Sequence, residues 1–136
     1  MCSSDLGPMM MSITALGTVP TGRMVRRTSA QPGDVIAVSG TIGDAALGLK
    51  IRKSPALEWV AALGERDFGF LLARYLKPQP RVVLAPVLRE FARAGMDVSD
   101  GLVGDLAKML RASGVTGILR VDDVPLSAAE IGRAHV

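Results

Sequence analysis

Residues 95–114 read GMDVSDGLVGDLAKMLRASG. Met96–Val98 is short, alternating and suited to a strand. From Gly101 the apolar period changes. Leu102, Val103, Leu106, Met109 and Leu110 fall on one helical face, while Asp105, Lys108 and Arg111 lie off it. Gly114 stands where a helix C-terminus favours glycine. A strand that feeds a helix through a glycine turn belongs to a layered domain with both element types.

The junction of the two elements carries the chemistry. In an extended segment, residues two apart project to one side. Asp97 and Ser99 are expected to face one way, with Met96 and Val98 toward the core. Asp100 sits where the helix begins, and free N–H groups and the positive end of the helix dipole favour an anion there. Two readings stay open. Ser99 or Asp100 can cap the helix, which contributes about 1 kcal/mol. Alternatively, Asp97, Ser99 and Asp100 are hard oxygen donors for Mg²⁺, which takes one or two carboxylates and completes its shell with water and phosphate oxygens.

Working outward, Met9–Val19 alternates in part and is expected to be a strand. "QPGD" at residues 31–34 is a turn. Asp34–Ser39 is short, mostly apolar and rich in β-branched residues, so a buried strand is expected. Gly40–Asp44 is a glycine-bracketed turn into a helix, DAALGLKI. Such a turn into a helix N-terminus can cradle phosphate, which makes it a second candidate site. It lacks the Lys-Ser/Thr of a P-loop and does not complete the dinucleotide fingerprint, so a structural turn is the favoured reading. Residues 54–64 form either a short helix or a loop. Phe68, Leu71, Leu72, Tyr75 and Leu76 give Asp67–Leu76 one buried stripe. Leu84, Val87, Leu88 and Phe91 mark another helix, with Pro86 tolerable only near its first turn. Gly117–Asp122 is expected to be a last strand. The order predicts an α+β domain with a mixed sheet and packed helices.

Composition bounds the function. The chain has 136 residues and is 49% hydrophobic but only 4% aromatic, so the core is built from aliphatic side chains. At this length one domain suffices to bury a sizeable core. The net charge is +3, and its densest cluster is Arg23, Arg26 and Arg27. These arginines can hold a phosphate or simply line a solvated strand edge. No basic block interleaves with aromatics, which argues against nucleic acid as a partner. No apolar run reaches membrane-spanning length and no signal peptide is visible. A cytoplasmic protein is expected.

The two ends read differently from the interior. "MCSSDL" (1–6) can be encoded by a DNA string beginning GTGTGCTCTTCCGATC. Its reverse complement, GATCGGAAGAGCACAC, encodes Ile131–His135 of "IGRAHV" (131–136). Both strings resemble sequencing-library adaptor. Residues 1–6 and 131–136 are therefore expected to be translated adaptor, with the natural gene continuing beyond both ends. Cys2 and His135, the sole Cys and His, fall in those segments and drop out as candidates for evolved chemistry.

Four interior strings together, ITALGTVPTGRMVRR (13–27), QPGDVIAVSGTIGDAALGLKI (31–51), RYLKPQPR (74–81) and MDVSDGLVGDLAKMLRASG (96–114), resemble the thiamine-monophosphate kinases of the aminoimidazole-ribonucleotide synthetase superfamily. The D-x-S-D-G-L string is the most specific of these features. Ser29 departs from the family's usual Gly, in a turn away from the chemistry. The resemblance implies an ATP-dependent, Mg²⁺-assisted transfer of the γ-phosphate to thiamine monophosphate. It implies Asp97 and Asp100 as Mg²⁺ ligands and Ser99 as an ATP contact. It makes 7–19 the last strand of an N-terminal ATP-binding domain and 20–130 part of the C-terminal domain. The family's upstream acidic metal cluster and downstream G-E-D-Y-E string are not in this sequence. A homodimeric, active longer protein and an inactive fragment are expected.

Overall fold

The computed structural model describes residues 10–131. Residues 1–6, Cys2, His135 and all of 131–136 except Ile131 lie outside them. Among the described residues there are six α-helices: α1 (Asp44–Lys53), α2 (Glu58–Ala61), α3 (Glu65–Leu76), α4 (Ala85–Phe91), α5 (Leu102–Ser113) and α6 (Ala128–Ile131). Short 3-10 turns occupy Val82–Leu84 and Val121–Asp123.

Local chemistry accounts for the helices. Asp44 opens α1, and Lys50, Arg52 and Lys53 close it, so both ends complement the helix dipole. Glu65 and Asp67 do the same at the start of α3, with Arg74 in its last turn. This helix begins two residues before the periodicity indicated. The ambiguous stretch 54–64 contains one turn of helix. In α4, Pro86 occupies the first turn, where its missing N–H costs no intrahelical bond.

The core is helical. Ile51, Val60, Leu71 and Ala129 form its buried cluster, with Leu47, Trp59, Leu63, Phe68 and Leu72 packed around it. Its main contact is α1 against α3. Gly48 makes that crossing close. A Cβ there would fall inside the Leu71 carbonyl oxygen's van der Waals shell and 2.8 Å from Tyr75 Cβ.

The expected mixed sheet is not formed among the described residues. Their sole bridge is parallel and isolated, between Arg26 and Ala94. Residues 10–19, 34–39, 96–98 and 117–120 are without regular structure, and Val121–Asp123 is a 3-10 turn instead of strand. Apart from the 31–34 turn, no ladder of backbone hydrogen bonds joins these segments to a neighbour. Alternation makes a segment capable of pairing, but a strand exists only where a second strand lies alongside. The burial expected for Asp34–Ser39 fails for the same reason: Val35 is 91% exposed.

Two apolar faces also differ from expectation. In α4, Val87, Leu88 and Phe91 are exposed. In α5, Leu102 and Leu106 are buried, but Val103 is 70% exposed. The "QPGD" turn forms as expected. The Asp34 N–H donates to the Gln31 carbonyl at 3.1 Å, and the Gln31 N–H donates to Asp34 Oδ2 at 2.8 Å. Among the described residues no helix is long and apolar enough to cross a membrane.

Candidate functional site

The loop before α5 is organised by a residue that periodicity placed on the wrong side. Asp105 is 2% exposed. Its Oδ2 accepts three successive backbone N–H groups, from Ser99 at 2.9 Å, Asp100 at 2.9 Å and Gly101 at 3.2 Å. The chain must fold back tightly to aim three amides at one oxygen. Gly101 supplies the bend with φ 127° and ψ 142°, a conformation that side-chain-bearing residues rarely adopt. Neither Ser99 nor Asp100 caps the helix: the N-cap residue is Gly101, and no side-chain cap bond is made from that position. The carboxylate that gathers the loop's amides comes from inside the helix, reaching back as the acid of a capping box does.

Lys108 completes the arrangement. Its Nζ donates to Asp100 Oδ2 at 2.6 Å and to Asp105 Oδ1 at 3.1 Å. The amide of Asp100 foremost, then the Lys108 ammonium and the Ser99 amide, hold the Asp105 carboxyl down at about 2, against the opposing effect of desolvation. The two carboxylates, Asp100 before Asp105, push the Lys108 ammonium above its ordinary value. Both groups are therefore charged at neutral pH.

Asp97, Ser99 and Asp100 all lie exposed on the solvent side of this loop. The expected division of faces holds in part. Met96 is half-buried, but Val98 is exposed. An open cleft of about 470 Å³ runs from Asp100 and Gly101 between Val103, Ile42, Val121 and Leu126, and its walls are mostly apolar. Ile42 is fixed there by its N–H bond to the Pro125 carbonyl at 2.9 Å.

The second candidate, Gly40–Asp44, is a structural turn. Asp44 is 1% exposed. It accepts the Thr41 hydroxyl and faces Arg74 Nε at 3.7 Å. Gly43 lies against the carboxylate of Glu130, so the α1 N-terminus already meets an anion. The Arg81 guanidinium covers Gly40.

Asp97 and Asp100 offer accessible hard oxygens, a donor type that Mg²⁺ takes in ones or twos. The half-exposed Lys108 side chain is long enough to move aside. The described residues hold no larger group of His, Cys, Asp or Glu suited to a metal, so any ion here would complete its shell with water or phosphate oxygens. Sequence reasoning missed Asp105 and Lys108 as organisers. The available signal was a carboxylate four residues after a glycine turn, with a Lys three residues further on.

Comparison with known proteins follows the same lines. The chain is 39% identical over 123 residues to thiamine-monophosphate kinase of Salmonella typhimurium, covering 90% of this chain and 37% of that protein. It is 41% identical over 121 residues to the kinase of the same name from Caulobacter vibrioides, covering 89% and 32%. The crystal structure of thiamine-monophosphate kinase from Stenotrophomonas maltophilia K279a superposes with a TM-score of 0.71 at 44% identity, over 79% of this chain and 34% of that one. The chain thus spans about a third of the length of these relatives. Residues 31–133 match the family described as AIR synthase related protein, C-terminal domain. This chain belongs to that family.

Proposed function

We propose that the chain is part of a thiamine-monophosphate kinase, which transfers the γ-phosphate of ATP to thiamine monophosphate and yields thiamine diphosphate and ADP. The supporting observation is the loop gathered on Asp105, which turns Asp97, Ser99 and Asp100 to solvent beside an apolar cleft. The identities to kinases of that name support the substrate class. Asp97 and Asp100 hold Mg²⁺ and Ser99 contacts ATP. A cation held there would offset charge on the transferring phosphates, and the chain's own part is otherwise positioning, with no covalent nucleophile required of it.

In this reading Asp105 is a positioning residue. It stays ionised, fixes three amides and keeps Ser99 and Asp100 in register at the start of α5. Lys108 pairs with Asp100 and offsets its charge. The 136-residue chain alone is inactive, and the longer protein is a cytoplasmic homodimer. Asp97→Asn in the full-length kinase keeps size and polarity but removes the charge. Thiamine diphosphate formation is expected to fall at least about a hundredfold, with altered Mg²⁺ dependence. Activity and Mg²⁺ dependence equal to those of the unaltered enzyme would overturn the assignment.

A further inference from the structure

The Arg26–Ala94 bridge, with the Gly95 N–H on the Arg26 carbonyl at 3.3 Å, sets residues 22–26 beside residues 89–95. Between them lies a cleft of about 220 Å³, bounded by Arg23, Arg89, Arg93 and Glu90. That is ample beside the roughly 10–15 Å³ a single water needs. Three arginines and one glutamate line the cleft. Arg93 is committed to Asp34 Oδ1 at 3.1 Å and to the Gln31 side chain. Arg23 and Arg89 have no ion-pair partner among the described residues. The backbone of Arg23 is set by a turn in which its N–H donates to the Pro20 carbonyl at 3.0 Å, while Arg89 stands on α4. Glu90 and the carbonyl end of α4 reduce the positive potential but do not cancel it.

We propose that this arginine cleft binds a small phosphorylated anion, with pyrophosphate as its minimal form. Planar guanidinium forks match phosphate oxygens two at a time, and two uncommitted forks from separate segments suit a doubly charged tetrahedral group. No aromatic side chain lines the cleft, so it offers no stacking surface for the bases of a nucleic acid. It shares no residue with the Asp97–Asp100 loop or its apolar cleft, and stands or falls apart from the kinase reading.

Equilibrium dialysis of labelled pyrophosphate against the 136-residue chain, at low salt with EDTA present, tests it. Saturable one-to-one binding is expected. R23A/R89A should weaken it about tenfold or more, since each charge-assisted contact is lost outright. R52A/R66A, which removes two exposed cations elsewhere, should leave it unchanged. Circular dichroism checks that the variants stay folded. Absence of saturable binding overturns the proposal, as does equal weakening by R52A/R66A or full retention by R23A/R89A. Tighter binding of a short single-stranded oligonucleotide than of pyrophosphate overturns it too.

Discussion

The α1–α3 pair and the extended segments 10–19 and 34–39 are comparably apolar, yet one makes the core and the others lie in solvent. Leu71 and Ile51 are almost fully buried, while Ile13 and Val35 are more than nine-tenths exposed. The difference lies in where backbone hydrogen bonds are satisfied. A helix closes its own bonds within four residues, so an amphipathic helix needs only one partner face. An extended segment has no internal bonds, and its apolar side chains gain nothing until another strand pairs with it. The core therefore assembles from the elements that are complete in themselves.

Breaking the helical side should have the larger effect. Gly48→Ala pushes a methyl group into the Leu71 carbonyl and toward Tyr75 Cβ at the α1–α3 crossing. The obstacle is backbone, which cannot swing aside as a side chain can. Overpacking of this kind costs about 3 kcal/mol, a large share of the stability of a small domain. Urea denaturation followed by circular dichroism would report it. A midpoint unchanged from that of the unaltered chain would mean the helices do not meet at Gly48.

The α5 loop sits between the two extremes. It is irregular, but it borrows order from a helix through Asp105. Asp105→Ala removes the acceptor for three amides, and hydrogen exchange at Ser99, Asp100 and Gly101 should accelerate by about tenfold. The metal-free chain should also show a pH signature. The Asp105 carboxyl falls from 3.8 to about 2 on folding, so its contribution is present above about pH 4 and is lost as the pH falls toward 2. Denaturation midpoints measured across that window should flatten in the Ala variant. An identical slope in both proteins would show that other carboxylates carry the acid sensitivity.

How far the sequence was legible follows from the same distinction. Period and capping signals located α1, α3, α4 and α5 to within a few residues, because the information that makes a helix is local. The strand-like segments were legible only as capacity. Residues 34–39 carry β-branched side chains, but nothing in them states whether a partner lies alongside. Within the site, the cluster Asp97, Ser99 and Asp100 was visible because three oxygen-bearing residues crowd together. Asp105 was not, since a charged residue off the apolar stripe ordinarily points to water. Its burial depends on three amides converging through the Gly101 bend, a three-dimensional fact that helical periodicity does not encode.

The smallest effect belongs to the extended segments and sharpens the comparison most. Ile13→Ser and Val35→Ser each remove a large apolar side chain from a position that is 93% and 91% exposed, respectively. If those residues contribute no burial, each change should alter stability by no more than about 0.5 kcal/mol. The same substitutions should raise solubility, because contiguous exposed apolar segments with unpaired backbone groups invite self-association. Sedimentation velocity at increasing concentration would read this as a smaller aggregated fraction than in the unaltered chain. A loss of about 2 kcal/mol or more from Val35→Ser would mean the side chain is buried in solution. The division between self-sufficient helices and unpartnered extended chain would then fail at residues 34–39, whose β-branched run most favours a buried strand.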